Sequence, residues 1–325
     1  MNSCAKYGSI SGQPTASRDG RATAGCDYRE LVDELVDSGA YRTDAGRLRR
    51  QLASDGYVFV RGLLPAADVR AAYAGVTEQL RRGGWIDDHD RPLPPPDAVN
   101  FREALANPAF RRAIVSRDFN RLVYLGPLRA VIAEILGHSS FPYPAKVLRT
   151  VYPERPPAIT RGRYIHQDYA GSGIQDMLTT WVPLMGIPVQ MGGLAVEPGS
   201  HLGPPERPRV LKPGQRGWAS TDYRPGDVLI FHCLTAHAAL PNQSQALRVS
   251  GDFRWQRADQ PAPEQMVLGP AGRQAEMFSR IFAREPWWQP VPAGLQLLPR
   301  GYVARPPTAS SFFTVHRGWQ RWRPP

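Results

Sequence analysis

The stretch Tyr164-Ile165-His166-Gln167-Asp168 decides how the chain is read. Tyr and Ile favour an extended backbone, and side chains alternate along a strand, so His166 and Asp168 project to one face. An imidazole and a carboxylate on one face supply two ligands of a 2-His-1-carboxylate triad, the set that leaves open coordination positions on a non-haem Fe(II). His237 is the candidate third ligand, and Arg248 is a fixed cation suited to a carboxylate-bearing cosubstrate. A lone histidine on a strand is more often structural, so the weight rests on the convergence of all four residues.

Working outward, Pro241-Asn242-Gln243-Ser244 is a turn signal between two apolar segments. A hairpin centred between Asn242 and Gln243 sets His237 opposite Arg248 on one face, so iron ligand and cosubstrate arginine become cross-strand neighbours. Ser250 shares that face and can donate a hydrogen bond to the same carboxylate. Short apolar runs separated by Pro- and Gly-rich turns predict strands at Val147–Tyr152, Tyr164–Asp168, Met177–Leu184, Gly193–Glu197, Val228–Phe231 and Arg248–Trp255. Strands at such spacing indicate an all-β sandwich or barrel.

The flanks read differently. Residues 1–27 lack a periodic apolar pattern and are expected to be disordered. Leu31, Leu35, Tyr41, Leu48 and Leu52 predict two short helices, and Gly56-Tyr57-Val58-Phe59-Val60-Arg61-Gly62 predicts a strand. Pro65 opens a helix to about Arg82, and Phe101–Leu136 is largely helical with a stop at Gly137. Past Arg257 the sequence is irregular with one helix, Glu276–Ala283, and aromatic residues (Trp287, Trp288, Phe312, Phe313, Trp319, Trp322) that should pack on the β core. The expected organisation is a single oxygenase domain over 28–325, with a helical part 28–143, a β core at about 144–258 and a capping segment 259–325.

Composition excludes several classes. No window approaches the ~18 consecutive apolar residues of a membrane helix, and Met1–Gly25 has no apolar signal-peptide region, so no membrane association is expected. Cys4, Cys26 and Cys233 are scattered and form no metal or disulfide framework, which suits a reducing cytoplasm. The +11 formal charge comes almost wholly from arginine, since Lys6, Lys146 and Lys212 are the only lysines. Those arginines are dispersed rather than gathered into a basic face with aromatic platforms, so no nucleic-acid partner is expected. A monomer or homodimer acting on a small molecule is the expected state.

The ordered set of motifs resembles the phytanoyl-CoA dioxygenase family of Fe(II)- and 2-oxoglutarate-dependent oxygenases. The matching segments are Gly56-Tyr57-Val58-Phe59-Val60 with its following helix, His166-Gln167-Asp168, Trp181-Val182-Pro183-Leu184 and Gly193-Leu194 leading to Pro198-Gly199-Ser200-His201. They continue through Gly226-Asp227-Val228, His237 with Pro241-Asn242, and Arg248, so the likeness spans about residues 50 to 258. It implies a mainly β fold with flanking α-helices, built on a double-stranded β-helix (a cupin-like jelly-roll) whose open end holds the iron. It implies that His166, Asp168 and His237 are the metal ligands, that Arg248 binds the distal carboxylate of 2-oxoglutarate, and that Trp181 lines the cosubstrate pocket. The implied chemistry consumes O2 and 2-oxoglutarate, releases succinate and CO2, and oxidises a substrate C–H bond, most often by hydroxylation.

One position departs from the family pattern: a small hydroxyl residue often follows the distal histidine by two, and here Ala239 stands there, with Ser250 or Thr180 as substitutes. Asp168 argues against halogenation, because related halogenases replace this carboxylate to free a site for chloride. His232 and His201 read as packing and turn residues, and His89 as part of a solvated acidic loop. Lys146, Arg149 and Thr150 lie on the strand before the His166 strand, and one of them is placed to reach cosubstrate or substrate. Loops at Asp87–Asn100 and Tyr169–Asp176, with the C-terminal segment, should cap the pocket. Arginine-rich composition of GC-rich bacterial type suggests natural-product tailoring. The rival reading is a cupin-like protein that binds metal or ligand without turnover.

Overall fold

Tyr57–Val60 is buried at every position, which is what a strand covered on both faces requires. The computed structural model describes residues 28–94, 107–137, 139–153, 164–169, 177–203, 209–210, 217–268 and 274–299. In chain order the elements are β1 (Val32–Glu34), α1 (Ala45–Asp55), β2 (Tyr57–Val60), α2 (Ala66–Arg82), α3 (Pro108–Ile114), α4 (Arg117–Arg121), α5 (Gly126–Leu136) and β3 (Ser140–Val151). Then come β4 (Tyr164–Ile165), β5 (Leu178–Pro183), β6 (Leu194–Val196), β7 (Arg209–Val210), β8 (Trp218–Ser220), β9 (Val228–His232), β10 (His237–Ala239) and β11 (Arg248–Arg257). The described chain closes with β12 (Ala262–Pro263), α6 (Glu264–Leu268), α7 (Gln274–Phe282) and β13 (Leu297–Leu298).

Two sheets face each other. The larger has the order β2-β9-β5-β11-β3 and the smaller β1-β8-β6-β10, so neighbours in each sheet come from distant parts of the sequence. This crossing back and forth is the double-stranded β-helix arrangement. On the outer face of the larger sheet, Val58, Val60, Leu178, Val182, Ile230, Val249, Phe253 and Trp255 pack against α2 to α5. On its inner face, Tyr57, Phe59, Trp181, Leu229 and Phe231 meet Leu194, Val196 and Ala219 of the smaller sheet. The helices thus cover one side of the sheet and leave the other to the site.

Local chemistry explains the helix ends. The Asp44 carboxylate accepts the Arg47 N–H at 2.9 Å to cap α1, which stops at Gly56 with φ of 80°. A Cβ at Gly56 would lie 2.5 Å from His201 Nδ1 and 2.6 Å from Thr235 Oγ1, so both the dihedral and the space require glycine. Pro65 stands at the N-cap of α2, as the sequence suggests.

Three expectations need correction. The stretch 28–53 holds one α-helix, not two: Val32–Glu34 is a strand paired in parallel with β8, because the open edge of the smaller sheet offers backbone partners that outweigh leucine spacing. The strand through His166 is shorter than predicted. Beyond Ile165 only His166 stays in a bridge, to His237, and the chain then turns at Asp168. Finally, His237 and Arg248 are not hairpin partners. His237 pairs with Val196 and Arg248 with Val151, in different sheets. The turn chemistry is real, but it builds a corner between sheets: Asn242, fully buried, donates through Nδ2 to Val151 O and Ala246 O at 2.9 Å each, and its Oδ1 accepts the Ser244 N–H at 3.0 Å.

Residues 1–27, the loop cores 95–106 and 170–176, and the aromatics Phe312, Phe313, Trp319 and Trp322 lie outside the described residues. Trp287 and Trp288 pack on the helical layer, against Tyr124 and Phe282, rather than directly on the β core. No described helix is long and apolar enough to cross a membrane.

Candidate metal centre

His166 and His237 exchange both backbone hydrogen bonds, His166 N–H to His237 O at 3.1 Å and His237 N–H to His166 O at 3.0 Å. That antiparallel pair brings two residues far apart in sequence side by side, with ring centroids 4.2 Å apart. Asp168 follows on the turn, its Oδ1 3.9 Å from His166 Nε2 and 4.0 Å from His237 Nε2. One ligand atom from each of the three residues lies within 4.8 Å of the others. Three donors converging in this way can share one small cation, and two imidazoles with one carboxylate suit Fe(II).

Neighbouring groups orient each donor. His237 Nδ1 is 3.0 Å from Thr235 O, so the Nδ1–H tautomer leaves the Nε2 lone pair for a metal. Burial is the chief influence on this ring; Asp168 opposes it, His166 reinforces it, and the pKa falls to about 4, so His237 is neutral at physiological pH. Asp168 is also buried, which alone would raise its pKa. The charges of Arg254 and His237 and hydrogen bonds from Arg254 and Thr179 outweigh that, holding the carboxyl well below the usual range. Arg254 Nη2 donates to Asp168 Oδ1 at 3.0 Å, and the Thr179 hydroxyl donates to Oδ2. Gln167, between the ligands, turns the other way and ties Nε2 to Leu234 O at 2.7 Å.

The facing sheet carries the cosubstrate candidates. Arg248 is only 2% exposed, donates from Nη1 to Gly192 O at 2.9 Å, and sets its guanidinium carbon 5.8 Å from the centre of the Trp181 ring. Gly192 has φ of 81°, and a Cβ there would meet Leu240 O at 2.4 Å, so no side chain separates this carbonyl from the corner. Ser250 Oγ and Trp181 Nε1 are buried and find no hydrogen-bond partner among the described residues. An orphaned buried polar group costs roughly 1–3 kcal/mol, and both fit a ligand rich in acceptor oxygens, as 2-oxoglutarate is.

Thr180 does not join them. Its hydroxyl donates to Phe253 O at 3.2 Å and accepts the Trp255 indole N–H at 3.3 Å, on the helix-facing side of β5. The adjacent Thr179 faces the triad instead, because strand alternation flips the face at each residue. Arg254 and Thr179, directly paired across β11 and β5, are the site residues the sequence reading missed. The available signal was the alternation itself, since Arg248, Ser250, Asp252 and Arg254 share one face of β11. Ala239 is on β10 two residues past His237 and brings only a methyl group.

Residues 52–250 match the model of the family described as phytanoyl-CoA dioxygenase. The chain belongs to the phytanoyl-CoA dioxygenase family. The chain is 29% identical over 259 residues to the 1-deoxypentalenic acid 11-beta-hydroxylase of Streptomyces exfoliatus, covering 70% of this chain and 87% of the relative. The enzyme of the same description from Streptomyces arenae is 28% identical over 256 residues, with the same coverages. Among solved structures, the non-heme monooxygenase ThoJ in its apo form shares the fold with a TM-score of 0.50 and 19% identity, over 65% of this chain and 77% of that one. This member of the phytanoyl-CoA dioxygenase family is an Fe(II)- and 2-oxoglutarate-dependent dioxygenase with a jelly-roll core, acting on a small molecule.

Proposed function

We propose that His166, Asp168 and His237 hold Fe(II), that Arg248, Ser250 and Trp181 bind 2-oxoglutarate, and that the chain hydroxylates a C–H bond of a natural product. The observation that carries this reading is the convergence of three donor atoms within 4.8 Å, supplied by two backbone-paired histidines and a carboxylate. Hydroxylation is favoured over desaturation, cyclisation or epimerisation by the two hydroxylase relatives. A single cytoplasmic oxygenase domain over 28–325, as monomer or homodimer and without a nucleic-acid partner, completes the proposal.

The residues divide the work. Thr235 fixes the His237 tautomer, and Thr179 with Arg254 hold the Asp168 carboxylate in one orientation. Arg248 offers a planar fork to the distal carboxylate of 2-oxoglutarate, with the Ser250 hydroxyl and Trp181 indole N–H as further donors. Held by His166, Asp168 and His237, Fe(II) would supply the oxidation of the substrate C–H bond by O2, coupled to decarboxylation of 2-oxoglutarate to succinate and CO2. Phe231, whose ring centroid is 4.6 Å from that of His237, and Trp181 line the interior and exclude water from it.

Anaerobic Fe(II) and 2-oxoglutarate should together give the visible charge-transfer band of a chelated 2-oxo acid. A folded protein that lacks the band contradicts the proposal. Arg248→Ala should raise the KM for 2-oxoglutarate by about a hundredfold, the effect of losing charge-assisted hydrogen bonds worth roughly 1.5–3 kcal/mol, with a smaller change in the KM for the substrate. Succinate release across candidate natural products then identifies the substrate.

A further inference from the structure

Three basic or polar residues of β3 are candidates to reach the site, and the strand register separates them. Thr150 pairs with Val249 and Lys146 with Phe253, both on the helix-facing side. Lys146 Nζ lies under the rings of Tyr124, Phe278 and Trp288 at 5.5, 5.8 and 5.7 Å, on the far side of the sheet from the triad. Arg149 pairs with Ser250, so it shares the inner face with Arg248, Asp252 and Arg254.

Arg149 is held by one edge only. Its Nε donates to Asp252 Oδ2 at 2.7 Å, and among the described residues its two terminal amines have no partner. Asp252 is nearly buried, with a side chain 9% exposed, whereas the Arg149 side chain is 38% exposed. A buried carboxylate thus fixes the guanidinium plane while two parallel N–H donors remain available at the accessible rim of the inner face. That is the geometry for bidentate recognition of a carboxylate.

We propose that Arg149, oriented by Asp252, anchors a carboxylate of the prime substrate, so that this enzyme takes small carboxylic acids. The inference rests on the 2-oxoglutarate-dependent reading of the site and adds its substrate class. Arg248 serves the cosubstrate and Arg149 the substrate, from adjacent strands of one sheet.

The test uses holoenzyme assembled anaerobically with Fe(II) and saturating 2-oxoglutarate. Cyclohexanecarboxylate and the matching neutral cyclohexanecarboxamide are titrated, followed by calorimetry and by the charge-transfer band. The acid should bind at least about tenfold more tightly than the amide, as expected for a charge-assisted pair. Arg149→Gln should erase that preference, Arg149→Lys should retain part of it, and 2-oxoglutarate affinity should stay within about twofold in both, since its contacts are elsewhere. Equal binding of acid and amide, absence of acid binding, or an undiminished preference in Arg149→Gln overturns the proposal. So does a large loss of 2-oxoglutarate affinity in Arg149→Gln, which would assign the residue to the cosubstrate. If the band never forms in the parent protein, the iron and cosubstrate reading fails; the calorimetric comparison of acid and amide is still readable, and a preference lost in Arg149→Gln would support the anchor on its own.

Discussion

The two faces of β11 are made from one strand and do opposite things. Val249, Phe253 and Trp255 are buried against the helices, while Arg248, Ser250, Asp252 and Arg254 face the smaller sheet and are also buried or nearly so. Burial is therefore similar on both sides, and chemistry is what differs. The outer face is hydrocarbon, and the inner face carries paired charges and the Ser250 hydroxyl. A strand alternating in this way ties the site to a buried, packed layer, which is how donor groups are held without slack.

The largest test of this contrast removes a charge from the inner side. Asp168→Ala should abolish the Fe(II)–2-oxoglutarate charge-transfer band and weaken metal affinity by more than about a hundredfold, beyond the usual cost of losing an outer-shell partner. The metal-free protein should lose stability as well, because the largely buried Arg254 is left without its carboxylate partner. Retention of the band in folded Asp168→Ala protein would remove Asp168 from the ligand set.

On the outer side stability alone should be lost. Phe253 is fully buried, with its ring centroid 5.3 Å from that of Phe119, and Phe253→Ala should cost ~3–5 kcal/mol in denaturant unfolding. At low temperature, the fraction that stays folded should bind Fe(II) and 2-oxoglutarate normally.

Lys146 is the exception on the outer face and sharpens the comparison. It donates to Tyr143 O at 2.7 Å and Pro144 O at 3.1 Å, yet burial lowers its pKa from 10.5 to about 7. Between those values the unfolded chain binds more protons than the folded one, so stability should rise with pH from about 7 towards 10.5. Lys146→Met should flatten that rise and raise stability at pH 7 by an amount of order 1 kcal/mol or more. Chemical denaturation at several pH values measures both effects, and a profile identical in the variant would show that the lysine carries no burial cost.

Ser250→Ala is the smallest change. Its hydroxyl has no partner among the described residues, so removing it should stabilise the ligand-free protein by roughly 1–3 kcal/mol while raising the KM for 2-oxoglutarate several-fold. An unchanged KM would remove Ser250 from the cosubstrate site.

Much of this was legible in the sequence for identifiable reasons. The identities of His166, Asp168, His237 and Arg248 follow from ligand chemistry and ordered motifs, and the principal strands follow from apolar alternation between turn residues. Arg254 and Thr179 were illegible because nothing in their local sequence distinguishes them from other strand residues; only the cross-strand pairing that puts both against Asp168 gives them a role. The Asn242 turn was recognised but its partner strands were not, since a turn residue specifies a bend and not which sheet the chain enters next.

The sequence by itself supplied the donors of the proposed ligand set, the arginine proposed for the cosubstrate and the mainly β architecture, because donor chemistry and strand periodicity are local properties. Only the tertiary structure decided how they meet. The triad closes through a backbone bridge between His166 and His237, and Arg248 approaches from the opposing sheet. It also put Arg149 on the inner face and Lys146 and Thr150 on the outer, because the face a residue takes depends on register, and register is set by partners far away in the chain.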